Sequence, residues 1–281
     1  LELVDVAPGF YPGLSYDEYD RIRGLNWSVL RRFKKSAAHA RSEQIEPPEP
    51  SEEMEEGNAL HTMLLEPGRF TTDYVIVPEE APTRRSNAGK AWWEEFERAT
   101  AGKTRLTSDQ LERIQRWRDS VYTNALATEL LNDPRALKEC VIVWDDPEFE
   151  VRCKGRIDLA APSQGRSIVA DVKTTIDAGP WWFGKALDDY DWAGQIMWYT
   201  DGLQTVRPLQ GAERIPYFIA VEKKAPFCTV VYELGQSSRE VARQQARRYM
   251  QRWVEAERQG FWPGYPDAVI ELPVYVLNRV D

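Results

Sequence analysis

The chain has 281 residues and 32.4 kDa, with 36 basic against 45 acidic side chains and a net charge of −9. A chain of this size buries about 75% of its unfolded surface and folds without a disulfide or metal staple, which suits one large domain or two small ones. Its three cysteines, Cys140, Cys153 and Cys228, are scattered and form no CxxC pair, which excludes a self-contained four-thiolate zinc or iron–sulfur site.

That cysteine usage leads us to expect a reducing compartment, the cytoplasm of a bacterium or a phage host. No apolar run approaches a membrane span, and LELVDVAPGF lacks a signal-peptide pattern. A start at Leu1 rather than Met points to a piece of a longer chain. The acidic balance argues against nucleic acid on average, yet a binding site is local.

Taken in order, Arg21 to Arg41 holds seven bases and no acid: Arg21, Arg23, Arg31, Arg32, Lys34, Lys35 and Arg41. Asn26 or Ser28 is placed to cap a helix over Trp27 to Ala40. The run reads either as a solvated face or as a phosphate-contacting arm. From Glu43 to Glu56 there are seven Glu and no base, and the Pro-rich EPPEPSEE within it reads as an exposed acidic loop. A second basic patch with Arg84 and Arg85 lies in Thr83–Lys90, read as a loop. Leu111, Ile114, Trp117, Val121, Ala125 and Leu126 recur at helical spacing, predicting a helix that ends before Pro134.

The period then changes. Val141–Trp144, Phe149–Ala160, Ser167–Thr175, Pro216–Lys223 and Cys228–Leu234 read as strands, with a helix around Trp181 to Leu203 between the third and fourth. A C-terminal helix from about Ser238 to Gln259 presents Val241, Ala246, Tyr249, Met250 and Trp253 as its apolar stripe. Helices flanking a central mixed sheet make the expected class α/β or α+β, in one domain.

Two of the strands form a hairpin. Cys153, Ile157 and Leu159 are read as one apolar face, with Lys154, Arg156 and Asp158 on the other. Centred in the turn Ser163–Gln164–Gly165–Arg166, the hairpin sets Asp158 opposite Asp171, with Lys173 two residues further on. Facing like charges need compensation. Either Asp158 reaches Lys173 and Arg156 reaches Asp171 as crossed surface ion pairs, or a divalent cation sits between the carboxylates, as Mg²⁺ does with oxygen ligands. Gly57 and His61 share a helical face, with Leu60 and Leu64 toward the core. His61 is then either a metal ligand or an ordinary hydrogen-bonded helix histidine. Gln195 and Tyr199 likewise share a face and can hydrogen-bond a phosphate or a neighbouring side chain, though an amphipathic helix explains them as well.

The ordered set Gly57-x-x-x-His61, Gly155-Arg156-Ile157-Asp158, Asp171-x-Lys173 and Gln195-x-x-x-Tyr199 resembles the PD-(D/E)xK nuclease superfamily. In detail it is similar to the RecE (exonuclease VIII) exonuclease domain. GNALHTMLLEPGRF, the stretch from Asn26 to Ser28 and the strand Phe218–Glu222 add to the likeness, which runs from about Tyr11 to Trp262.

The resemblance implies a restriction-endonuclease-like core over about 57–235. It also implies a Mg²⁺-dependent exonuclease (Mn²⁺ substituting) that degrades double-stranded DNA from 5′ ends and leaves 3′ tails for strand annealing. His61, Asp158, Asp171 and the Val172 carbonyl would hold metal. Lys173 would position or activate water, and Gln195 and Tyr199 would support the site and the scissile phosphate. Arg31, Arg32, Lys34, Lys35, Arg84 and Arg85 are the candidate DNA contacts. A RecT-like single-strand annealing protein would be the partner, and a homo-oligomer, in the family often a toroidal tetramer, the assembly. Competing readings are a RecB-like nuclease, an endonuclease, or a non-catalytic DNA-binding module using the eleven tryptophans for stacking. GxSxG, GxxxxGK[ST] and HExxH are absent.

Overall fold

A computed structural model describes residues 3–163, 165–210 and 213–272. Its centre is a six-stranded sheet in the order β1 (Gly9–Tyr11), β4 (Leu137–Asp146), β5 (Val151–Ser163), β6 (Arg166–Thr175), β7 (Arg214–Glu222) and β8 (Thr229–Glu233). Only β6 and β7 run parallel; every other neighbouring pair is antiparallel. A small parallel pair, β2 (Tyr74–Ile76) and β3 (Thr104–Leu106), stands apart. The mixed sheet and all five expected strands are present. β1, β2 and β3 have three residues each, too short to show a period of two.

Helices cover both faces. On one lie α2 (Trp27–Leu30), α10 (Trp192–Val206) and α11 (Gln236–Gln259), whose Trp27, Ile196, Met197 and Met250 pack with Ile142, Trp144, Ile157, Val169 and Phe218. On the other lie α4 (Glu52–Leu65), α7 (Ser108–Thr123) and α8 (Ala125–Asn132), whose Leu60, Leu64, Ile114, Trp117 and Leu130 pack with Leu159, Ile168, Ala170, Val172 and Ile219. The remaining helices are α1 (Tyr16–Arg21), α3 (Ala37–Ile45), α5 (Phe70–Asp73), α6 (Asn87–Ala99) and α9 (Pro180–Asp189).

Several expected helices are broken, either by a side chain that caps the backbone or by a left-handed residue. The single basic helix is instead α2, a 3₁₀ turn Arg31–Lys34 and α3, with Asn26 capping the first and Ser36 the last. Asn124 caps α8 and so divides the helix read through Leu126. The helix over 181–203 divides at Asp191, whose φ is 58°. Thr83–Lys90 is not all loop, because Ser86 caps α6 at Asn87.

The acidic loop is also shorter than read. Ser51 caps α4, and Glu52, Glu53 and Glu55 lie in its first turn, where carboxylates favour the helix dipole. Glu56, 7% exposed, pairs bidentately with Arg113 at 2.9 and 2.7 Å and docks α7 on α4. On α11 the stripe includes Ala242 and Ala256, whereas Val241 is exposed.

Candidate metal centre where two strands part

β5 and β6 pair from Ser163↔Arg166 to Leu159↔Ala170, in the register the sequence predicts. Gly165, with φ 77°, supplies the turn; Gln164 lies outside the described residues. One step short of Asp158 and Asp171 the ladder stops. β5 continues along β4 while β6 continues along β7, from Asp171↔Phe218 to Thr175↔Glu222. In the gap Asp158 Oδ2 accepts from the Val172 amide at 2.9 Å, replacing a ladder carbonyl.

β5 also rolls there. Ile157 packs in one core and Leu159 in the other, so the continuous apolar face expected from Cys153 to Leu159 does not form. The cause lies across the sheet. Pairing with β4 passes from Lys138↔Leu159 to Cys140↔Ile157 and skips Glu139, whose φ is 50°. A left-handed non-glycine residue costs about 1–3 kcal/mol and persists only where its surroundings impose it. Glu139 is buried and bonded to Arg156 Nη1 at 3.0 Å.

Glu139 is the residue the sequence reading missed. Its signal was the constant register between β4 and β5, which sets Glu139 opposite Asp158 once β4 is extended back to Leu137. His61, Glu139 and Asp158 each offer a ligand atom, all within 4.8 Å of one another. His61 Nε2 lies 2.9 Å from the Val172 carbonyl and therefore carries a proton, while Nδ1 stands 3.5 Å from Asp158 Oδ2. A cation between that nitrogen and the carboxylate oxygen would be ligated by both. Val172 thus joins the site with its carbonyl held by His61.

Asp171 is 1% exposed, and neither carboxylate oxygen has a partner of hydrogen-bond geometry. Its one close cation is Lys173 Nζ, 2.6 Å from Oδ2. Burial, with Asp158 adding to it against Lys173, pushes the Asp171 carboxyl up to about 6. Burial and then Asp158 push Glu139 up to about 8 in spite of Arg156. Crossed ion pairs do not form: Lys173 pairs with Asp171, and Arg156 holds Glu66 at 2.9 Å and Glu139. Four carboxylates, Glu66, Glu139, Asp158 and Asp171, thus crowd around Arg156 and Lys173, with Arg69 also 3.4 Å from Glu66. Hard oxygen donors, an imidazole and crowded buried carboxylates whose pKa is raised fit a divalent ion.

The opposite face contributes through α10. Gln195 Nε2 donates to the Tyr199 hydroxyl at 3.1 Å, and burial, then Tyr19 and Asp171, keep that phenol protonated well above its ordinary range. A Cβ on Gly155 would stand 2.9 Å from Tyr199 Cδ1, so this glycine lets α10 approach β5. Lys173 Nζ also lies 5.5 Å from the centroid of Trp192, at the start of α10.

All these side chains except Asp171 line one cleft of about 1930 Å³. Of the expected DNA contacts, Arg31 and Arg32 also line it. Arg31 Nη1 is 3.4 Å from the Tyr190 carbonyl, and Arg32 pairs with Glu43 at 2.8 Å. Lys34 is bonded to Asp188, Lys35 is exposed, and neither lines the cleft. Arg84 and Arg85 lie outside it too, Arg84 on Glu97 and over Trp93 at 4.1 Å.

A PDDEXK-like domain of unknown function (DUF3799) matches residues 26–269, most of the chain. The chain belongs to this family. In this chain the β5–β6 hairpin, which carries Asp158, Asp171 and Lys173, is flanked by helices on both faces. No curated protein matches the sequence. Among solved structures, a Eubacterium rectale protein named "Putative exonuclease" superposes with a TM-score of 0.62 at 10% identity, covering 95% of this chain and 97% of that one. At that identity the likeness is one of fold. SSO0001 (TM-score 0.29, 15% identity, 68% of this chain and 85% of that) and Vibrio cholerae VC1899 (0.22, 9%, 83% and 55%) match far more loosely and carry no argument.

Proposed function

We propose that this DUF3799 chain is a metal-dependent nuclease and, more finely, a Mg²⁺-dependent exonuclease, with Mn²⁺ as a substitute. It would trim linear double-stranded DNA from 5′ ends and leave 3′ single-stranded tails. The PDDEXK-like family supports a nuclease. The finer reading rests on the ordered motifs that resemble the RecE domain. The observation that carries the proposal is the buried Asp171 carboxylate with Lys173 Nζ at 2.6 Å, beside Asp158 and His61.

His61, Asp158, Asp171 and Glu139 would hold the ion, with the Val172 carbonyl adjoining. A divalent cation in that place supplies Lewis-acid stabilisation of charge on a phosphate. Asp158, fixed by the Val172 amide, keeps its carboxylate aimed into the gap. Lys173, fixed by Asp171, presents ammonium protons that orient water and stabilise negative charge as it develops. Tyr199 accepts from Gln195 and retains its own proton, so its hydroxyl can donate to a phosphate oxygen. Arg31 and Arg32 are the cleft's candidate phosphate contacts.

On this reading the 3′ tails pass to a RecT-like annealing protein, and the chain works as a homo-oligomer, with a toroidal tetramer as the arrangement to test. The test uses 5′- and 3′-labelled linear duplex with Mg²⁺, with EDTA and with the Lys173→Ala protein, alongside a covalently closed circle. Loss of 5′ label with Mg²⁺ alone, with an intact circle, is expected. A cut circle assigns an endonuclease, and undiminished cleavage by Lys173→Ala overturns the site.

A further inference from the structure

Beside the floor of the cleft lies a series of aromatic rings that the nuclease reading leaves without a role. Lys173 Nζ stands 5.5 Å from the Trp192 ring, and Trp192 stacks on Tyr190 with centroids 5.0 Å apart and planes at 24°. Tyr190 is 53% exposed and lines the cleft. So does Trp182 on α9, 54% exposed and braced edge-on by Trp181 at 4.5 Å. Large rings left half in water at the rim of a cleft offer flat apolar faces that a ligand can cover.

Burial of the floor decides which ligand. Asp171 is 1% exposed and Asp158 8%, and the Lys173 side chain is 14% exposed. The end of a strand whose last nucleotides are unpaired can bring a phosphate to these buried groups, and releasing those nucleotides from the base stack costs a few kcal/mol. Exposed aromatic rings recover that cost by stacking on the released base, whatever its identity. Charge alone is a poor source of affinity here. The chain carries −9, and Arg32, Lys34 and Lys185 near the cleft are already paired with Glu43, Asp188 and Asp189.

We propose that Tyr190, backed by Trp192, and Trp182 further back on α9 form a stacking subsite for unpaired nucleobases of the strand whose phosphate is brought to Lys173. This rests on the nuclease reading and sharpens it. The substrate in the cleft is a locally single strand, and the subsite is indifferent to sequence but not to the presence of a base.

The experiment measures binding of the full chain, in EDTA so that nothing is cut, to fluorescent oligonucleotides that are either normal or abasic over their 5′-terminal nucleotides. Wild type is expected to bind the normal strand about 10- to 100-fold more tightly than the abasic one. Combined Tyr190→Ala and Trp182→Ala should weaken the normal strand by a similar factor and leave the abasic strand unchanged. Tyr190→Phe, which keeps the ring, should behave as wild type. Trp192 is left intact because it touches Lys173. Equal wild-type affinity for both strands, or no loss in the double alanine variant with wild-type circular dichroism, overturns the subsite. A parallel cleavage assay with Mg²⁺ separates the two ideas: cleavage without base dependence sinks the subsite alone, whereas no cleavage under any divalent ion sinks the nuclease reading.

Discussion

The parting of β5 and β6 and the basic segment from Arg21 to Arg41 are both dense in charge, yet they handle it in opposite ways. In the basic segment most charges are spent on the fold: Arg23 on Asp5, Arg32 on Glu43, Lys34 on Asp188, Arg41 on Glu257. At the strand junction the acids outnumber their partners, Asp171 has oxygens with no hydrogen bond, and Glu139 holds a left-handed backbone. Burying an uncompensated charge costs several kcal/mol, so a fold that tolerates it has a second source of compensation. Charges matched one to one are therefore the mark of architecture here, and crowded buried carboxylates that outnumber their cations the mark of the site.

That contrast breaks most directly at the lysine. Lys173→Ala and Asp171→Ala are each expected to lower cleavage of linear duplex by about 10³-fold or more. Far-UV circular dichroism should stay unchanged, because neither side chain supports a core. Residual activity within tenfold of wild type in either variant would contradict the assignment.

Next in size is the dependence of stability on pH. The Asp171 and Glu139 carboxyls are raised from 3.8 and 4.5 to about 6 and about 8. Across that window the folded chain holds protons the unfolded chain has released, so stability falls as pH rises from about 4 to 8. The loss grows through that window as each buried carboxylate is made to ionise in place. A bound divalent cation favours the ionised carboxylates and offsets it. Melting temperature in EDTA should thus be lower at pH 8 than at pH 5, and Mn²⁺ should raise it more at pH 8. A rise of similar size at both pH values would mean that the carboxylates are not the ligands.

The same contrast explains what the sequence could reveal. Asp158, Asp171 and Lys173 were legible because a hairpin has one turn and one register, and Leu159↔Ala170 keeps it. His61 and the Gln195–Tyr199 pair were legible as helical faces. Glu139 was hidden because its place depends on β4, whose strand signal is clear only from Val141, and on a φ of 50° that no side-chain pattern announces. The breaks at Ser36, Asn124 and Asp191 were hidden for another reason: apolar spacing continues through them, and only tertiary packing decides whether a polar residue ends a helix or stays within it. Charge runs misled most, since composition does not say that Glu56 is held by Arg113.

A third prediction concerns how the two faces meet. Gly155→Ala places a Cβ 2.9 Å from Tyr199 and forces the ring or β5 to shift. Overpacking of this kind costs about 1–3 kcal/mol. Urea unfolding should register that loss, and cleavage should fall about tenfold as Tyr199 moves from Asp158. Tyr199→Phe separates the effects, because it keeps the packing and removes only the hydroxyl. If Gly155→Ala is destabilised but fully active, Tyr199 serves the fold alone.

The smallest effect is expected in the basic segment, and it asks whether any of that run escapes structural duty. Arg31 is the candidate. It lines the cleft, its guanidinium pKa is lowered chiefly by burial, and among the described residues it makes no ion pair. A half-buried cation without a carboxylate is ready for a phosphate, which would restore what burial removes. Arg32 could join it only by releasing Glu43. Measured as log affinity against log salt on duplex DNA, Arg31→Ala should reduce the slope by about 0.9, the value for one phosphate contact. Lys34→Ala, Lys35→Ala and the pair Arg84→Ala with Arg85→Ala, all outside the cleft, should leave the slope near wild type. A slope that responds instead to Arg84 and Arg85 would move the DNA path onto α6 and away from the strand junction.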